Sequence, residues 1–342
     1  MFPLQGWRRC AIALAIAVSA IIPARAAGDD VIRMPIFATL GTLPILIAAD
    51  KGYFAEQHLD VQLKRITGSN STLLPSLARG DIDVAPAVLT PGFFNQYYQD
   101  LGLKIFVAVD TPRRGWNDSL WFMVRQDLWD SKAIRALPDL RGKTFDKGAV
   151  GSPLDLMTKE IFIKAGLTSN DITLVTRLSG PLDFYPVLEN KGIDAVTVVE
   201  PVATLLEQRK LAHRWLSSND VIPWYQASFL ATSTMFARDH HDALVRFTSA
   251  YLKACQYVAK ANGKWTPELI DELAKWSDIP RDVIAAIPGP AYPGGLATIS
   301  LDSIDRTQQL WMRDGLVTKA VPVGAIVDTS VENAARKQLG IK

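Results

Sequence analysis

At 342 residues, with 48% hydrophobic and 21% charged side chains, the chain has the makeup of a soluble globular protein large enough for two cores. Its 37 lysines and arginines nearly cancel 35 acids, so neither a basic surplus nor a basic run points to nucleic acid. Two cysteines, Cys10 and Cys255, leave no disulfide framework and no paired-cysteine metal motif.

Residues 1–26 read apart from the rest. Arg8 and Arg9 precede an apolar run, and small residues follow at Ala24 and Ala26. This order predicts a secretory signal cleaved after Ala26. The run is shorter than the roughly 20 residues that cross a bilayer. The residues around Arg8-Arg9 match a twin-arginine signal poorly, and Cys10 lies before the apolar run rather than at the cleavage point. Loss of this segment removes three arginines and no acid, taking the formal charge from +2 to −1.

From there the elements alternate. Residues 31–38 read as a strand by their period, and Leu-Pro-Ile-Leu-Ile-Ala-Ala-Asp from Leu43 as an apolar helix stopped at Lys51-Gly52. A second strand spans 60–66, and Ser69-Asn70-Ser71-Thr72 supplies capping hydroxyls for a helix ending at Gly80. A third strand starts at Ile82, and Thr90-Pro91 opens a helix through Tyr98. A second pass begins near Lys143-Thr144-Phe145. Its helix follows Ser152-Pro153 and closes at Gly166, a strand covers 172–175, another helix opens at Gly180-Pro181, and a strand starts at Gly192-Ile193-Asp194. The phrase at 76–91 is echoed 111 residues later at 187–201. Val61 to Ile82 and Ile172 to Ile193 are both 21 residues apart. The pattern predicts an α/β protein of two related lobes, each a mainly parallel sheet flanked by helices. Crossings between lobes are expected near 110–120 and 224–232. From His240 on, the chain reads as helices around a Pro/Gly-rich loop at 287–295. The expected division is 1–26 signal, 30–115 plus 232–342 first lobe, and 116–231 second lobe.

Open parallel sheets bind ligands beyond the carboxyl ends of their strands. Five of six strand-to-helix junctions carry proline: Leu43-Pro44, Thr90-Pro91, Ser152-Pro153, Gly180-Pro181 and Glu200-Pro201. The sixth is the hydroxyl-rich 69–72. Taken singly, each is an ordinary good helix start. Facing one another, they would aim free N–H groups at one cleft. A helix terminus contributes roughly 0.3–1 kcal/mol toward an anion, whereas micromolar binding needs about 8 kcal/mol. A guanidinium or an apolar contact must add to it. Arg177, directly after a strand, and Arg113 or Arg114, in the first crossing, are candidates, although a surface position is the commoner fate of an arginine. Asp155 and Glu200 stand where each can cap its own helix, and Glu200 could instead receive a ligand amino group. Trp116, Trp121, Phe93, Phe94, Trp224 and Tyr225 cluster near these junctions, as pocket wall or as lobe packing. No catalytic serine, zinc-protease or nucleotide-binding motif occurs. Adjacent residues Asp239-His240-His241 would point apart on a helix, so no metal set is expected. Glu268, Asp271 and Glu272 read as a solvated helix face. No catalytic residue and no cofactor is assigned.

The order Pro-x-Leu-Ile-Ala-x-x-Lys-Gly-Tyr-Phe at 44–54, Leu-x-Val-x-Leu at 59–63 and Leu-Ala-Arg-Gly-Asp-Ile-Asp-Val at 77–84 resembles the periplasmic solute-binding proteins of ABC importers for sulfonates, taurine and nitrate. Residues 139–143 and 192–201 resemble the second-lobe counterparts. The resemblance implies a two-lobed type II periplasmic-binding-protein fold. It further implies a monomer in the periplasm that closes by a hinge on a small solute and hands it to a membrane permease. By position, it assigns ligand contacts to Thr39, Gly41 and Thr42, to Ser69, Asn70 and Ser71, to the loop 86–90 with Thr90, to Gly151 and Ser152, and to Glu200. The residues themselves add Arg113, Trp116, Arg177 and Trp224. Glu200 stands where a smaller or aromatic residue is expected, against a simple alkanesulfonate. The expected solute is a small sulfonate- or carboxylate-like anion with an apolar or aromatic body. The alternatives are an enzyme of pyrimidine- or menaquinone-pathway type on the same fold, and the sensor lobe of a signalling receptor. The export signal and the lack of a cysteine-rich motif speak against the first, and the absence of a fused membrane segment against the second.

Overall fold

The structure is a computed structural model, described here for residues 29–37, 39–66, 73–109, 120–175, 183–290, 292 and 298–341. Among the described residues, ten strands form two lobes. They are β1 (Asp30–Ile36), β2 (Leu59–Arg65), β3 (Ala85–Val88), β4 (Leu103–Ala108), β5 (Leu120–Arg125), β6 (Thr144–Asp146), β7 (Thr173–Val175), β8 (Ala195–Val199), β9 (Ala212–Ser217) and β10 (Ser228–Ser233).

In the first lobe β1 and β2 run parallel, and β10 lies antiparallel between β3 and β4. The second lobe orders its strands β7-β6-β8-β5-β9, with β5 antiparallel to both neighbours. The expected mainly parallel sheets are therefore mixed. The physical reason is the pairing: β5 lies between β8 and β9 and β10 between β3 and β4, each antiparallel to both neighbours. Antiparallel pairs do not need the βαβ crossover that parallel pairs require. The expected boundary at 231/232 would also cut β10, whose register on β3 and β4 holds the whole strand in the first lobe.

The repeated Ile-Asp phrase has a structural cause. Asp83 Oδ2 accepts from the backbone N–H of Arg33 on β1 at 2.7 Å, and Asp83 N–H donates to the Arg33 carbonyl at 3.0 Å. Asp194 repeats this on β6, accepting from Thr144 N–H at 2.9 Å and donating to its carbonyl at 2.7 Å. Both pairs span 50 residues. Each aspartate also meets an arginine, Arg33 in one lobe and Arg125 in the other. The phrase is thus a clamp between the first and third strands of each half. It also explains why β3 starts at Ala85 rather than Ile82, since Asp83 and Val84 are bonded to Arg33 instead of entering a ladder.

The helix Leu43–Asp50 is apolar all round because it is buried on nearly every side. The long helix His241–Ala259 packs one face against it and the other against Thr329–Gln338. Phe247 stacks on Phe54 with centroids 5.0 Å apart, and Tyr251 Oη donates to the Ala108 carbonyl at 3.0 Å. Each such aromatic, fully withdrawn from water, stabilises the lobe by about 1.5–3 kcal/mol. The second lobe keeps a smaller core around Met123, Leu188, Val196 and Leu206. Among the described residues no helix is long and apolar enough to cross a membrane.

Candidate functional site

A cavity of about 420 Å³ lies where the two lobes meet. The first lobe contributes Val88, Thr90, Pro91 and Gly92, the second Ala149, Val150, Gly151, Ser152 and Pro153, and the tail Leu316. The two walls are built alike. Thr90 has extended backbone and its hydroxyl accepts from Phe93 N–H, capping the helix Pro91–Asn95. Ser152 is also extended and its hydroxyl accepts from Asp155 N–H at 3.2 Å, capping Pro153–Ala165. In both cases proline holds the first helical position, where it needs no N–H partner. The two walls come into contact here. Gly151 has φ +79°, and a Cβ there would lie 3.2 and 3.3 Å from the Pro91 ring. Glycine is required twice over, by its backbone and by the approach.

Behind the second wall sits a charge network. Asp155 is fully buried, and its carboxylate accepts from Gly151 N–H at 2.9 Å. Lys147 at 2.9 Å and Lys159 at 3.1 Å compensate it. Lys159 continues to Asp314 in the tail at 3.1 Å. An unpaired buried carboxylate would be costly, and this one is fully partnered.

Of the residues singled out by sequence, Thr90, Gly151 and Ser152 meet in this cavity. Thr39, Gly41 and Thr42 form the turn entering Leu43–Asp50 and do not line it. There the Thr42 hydroxyl is buried and turned to the Phe37 carbonyl at 2.6 Å. Tyr292 Oη donates to the Gly41 carbonyl, and a Cβ at Gly41 would meet Val109 at 2.9 Å. Glu200 is buried with both oxygens engaged inside its lobe. Thr204 donates to it from its N–H at 3.2 Å and its hydroxyl at 2.8 Å, and Arg214 pairs with it at 2.7 Å. The helix-capping role is the one the geometry realises, and the following helix starts at Val202, with Pro201 as its cap rather than its first residue. Trp224 is half-buried under the Arg306 guanidinium, away from the cavity lining. Ser69, Asn70, Ser71, Arg113, Arg114, Trp116, Arg177 and the Gly180-Pro181 junction lie outside the described residues. Phe93, Phe94 and Tyr225 are buried as core rather than as pocket wall. His240 stacks on Phe236, and His241 Nε2 meets Ser330 Oγ at 3.1 Å. Among the described residues no group of three or more His, Cys, Asp or Glu is placed to hold a metal. Sequence reasoning missed Val150, exposed beside the cavity, and Leu316. Nothing in the repeat could have marked Leu316, which belongs to neither copy.

Two α/β lobes carrying the same aspartate clamp, with a cavity at their opposed helix starts, define the class of two-lobed type II binding folds. Solved structures share this fold. The periplasmic nitrate-binding protein NrtA from Synechocystis PCC 6803 matches at TM-score 0.72 and 13% identity, over 90% of this chain and 89% of its own. The aliphatic sulphonate binding protein SsuA from Escherichia coli matches at 0.68 and 18%, over 86% and 96%. A point variant of the desulfurization enzyme DszB, solved with biphenyl-2-sulfinic acid, matches at 0.67 and 16%, over 91% and 99%. In sequence, a candidate binding protein of Bacillus subtilis, YtlA, is 25% identical over 249 residues, 70% of this chain and 69% of its own. The model of the NMT1/THI5-like family matches residues 41–262, and the chain belongs to that family.

Proposed function

We propose that the protein is the solute-binding component of an ABC import system. It works as a monomer in the periplasm, closing by a hinge on a small anionic solute with an apolar or aromatic body and presenting it to a membrane permease. One observation carries this reading: the capped starts of Pro91–Asn95 and Pro153–Ala165 face each other across a single cavity, one from each lobe. Its volume of about 420 Å³ falls within the roughly 300–1,000 Å³ of small-molecule sites. The described lining offers hydroxyls, backbone and apolar carbon, with no thiol, imidazole, amine or carboxylate. Such a set suits holding a solute better than transferring protons or attacking one. The sulfonate binder and the sulfinate-bound enzyme among the fold's relatives agree with an organic sulfur anion as ligand class.

The test is a thermal-shift and calorimetry panel of organic sulfonates, carboxylates, nitrate and pyrimidines, with each ligand recovered afterwards. Binding of an organic anion returned intact is expected. A ligand that comes back chemically changed would establish the enzyme reading instead, which the likeness to DszB keeps in view.

A further inference from the structure

We infer that Leu316, delivered by the tail, is a specificity-determining residue that limits the bulk of solute the cleft accepts. The inference rests on the solute-binding reading above and deepens it.

Leu316 is the lining residue that comes from neither repeat. It follows the helix Leu301–Arg313, whose end is stopped by Gly315 at φ +72°. Leu316 N–H then donates to the Trp311 carbonyl at 2.9 Å, and its own carbonyl accepts from Asn95 Nδ2 at 3.1 Å. Trp311 on one side and Val317 on the other are buried, so the backbone carrying Leu316 is fixed. Its side chain reaches the contact between the lobes. Leu316 Cδ1 lies 4.0 Å from where a Gly151 Cβ would stand, beside the Pro91 ring.

Two ion pairs tie this segment to the second lobe. Arg313 Nη1 meets Glu160 at 2.6 Å, and Asp314 meets Lys159 at 3.1 Å, so neighbouring residues of the tail engage neighbouring residues of Pro153–Ala165. Lys159 in turn contacts Asp155, whose carboxylate holds Gly151 N–H. The tail therefore registers on the same helix whose start forms one wall of the cavity. Thr90 and Ser152 are the polar side chains of the lining, and on the solute-binding reading they hold the anionic head. Leu316 is apolar and meets what extends beyond that head. Bulk there must fit against its isobutyl group. The stretch matching the family ends at 262, so Leu316 lies outside it.

The experiment compares the parent protein with Leu316→Ala, Leu316→Phe and Leu316→Met by calorimetry. The probes are methanesulfonate, butanesulfonate, benzenesulfonate and naphthalene-2-sulfonate, the matching carboxylates, and cytosine as an uncharged member. Leu316→Ala is expected to shift the ratio of Kd values at least tenfold toward the bulkier probes. Methanesulfonate affinity should change less than threefold. Leu316→Phe should shift the ratio the other way, and Leu316→Met, which keeps the bulk, should retain the parent's order. Asp314→Asn, at a residue outside the described lining, should weaken all bound probes by a common factor. An unchanged size ratio in both the Ala and Phe variants overturns the inference and leaves the solute-binding reading standing. Binding of cytosine alone sinks the anionic-solute reading, and size dependence is then read on substituted pyrimidines. A parent protein that binds no probe overturns both.

Discussion

Gly151→Ala separates the cost of an unusual backbone from the cost of keeping two lobes apart. Gly151 holds φ +79°, and a side chain in that left-handed region costs roughly 1–2 kcal/mol of fold stability whatever surrounds it. The new Cβ would also stand 3.2 and 3.3 Å from Pro91 Cδ and Cγ. That ring is the locked first residue of its helix and cannot rotate away, so the lobes must part by a few tenths of an ångström. Taking the low end of the roughly 1–3 kcal/mol that overpacking costs gives about 1 kcal/mol, felt only when the lobes are together. Ligand binding by closure would then weaken about fivefold. Gly142 supplies the control. Its φ is +74°, yet nothing lies within 4 Å of the position a Cβ would take. Gly142→Ala should lose comparable stability in urea and keep its affinity, whereas Gly151→Ala should lose both. Equal Kd values for the two variants by calorimetry, at equal loss of stability, would refute closure through this contact.

Arg177→Ala is expected to weaken binding of an anionic solute at least tenfold while the melting transition stays put. Unchanged affinity removes Arg177 from the site. Glu200→Gln should lower stability by about 2–3 kcal/mol, below the 3–5 typical of a broken buried pair because Arg214 keeps Glu207, and solute affinity should hold within twofold. A large affinity loss at unchanged stability would return Glu200 to the ligand. Burial, reinforced by the charge of Asp50, raises the Glu272 carboxyl above its ordinary 4.5 although Lys275 opposes the shift. The folded protein thus retains a proton that the unfolded chain releases, and the group's contribution to stability is full below 4.5 and lost as pH rises through the folded value. Glu272→Gln should therefore stabilise the protein at pH 7 and leave it unchanged near pH 4. Denaturation curves showing the larger gain at pH 4 would contradict this.

What was legible in the sequence follows from how local each signal is. The helix from Ser152-Pro153 to Gly166 was readable because proline, a capping hydroxyl and a terminal glycine each act within one turn. The repeat was readable because Asp83 and Asp194 perform the same clamp in each lobe, at the same distance along the chain. Strand direction was not, because β5 and β10 take theirs from pairing with strands far away in the chain, which no local pattern records. Glu200 was ambiguous for a similar reason. Its partner Arg214 lies on β9, and nothing in the spacing of 14 residues announces that the two meet. The acidic face read at Glu268, Asp271 and Glu272 also divides in three dimensions. Glu268 reaches Lys51 in the exposed layer, while Glu272 turns inward.

The charge network behind Ser152 bears on what the cleft can hold. Asp155 already occupies Gly151 N–H, so part of the donor set at the start of Pro153–Ala165 is spent inside the protein. Lys147, Lys159 and Asp314 bring that neighbourhood close to neutral. Two helix starts at roughly 0.3–1 kcal/mol each supply at most about 2 of the 8 kcal/mol that micromolar affinity requires. Val88, Val150 and Leu316 offer the other resource. Burying on the order of 150–200 Å² of apolar ligand surface against them would add about 4–5 kcal/mol. The remainder is within reach of a single charge-assisted hydrogen bond of roughly 1.5–3 kcal/mol, the part proposed for Arg177. A bare inorganic anion forfeits the largest of these contributions, which is the physical ground for proposing an organic body on the anion.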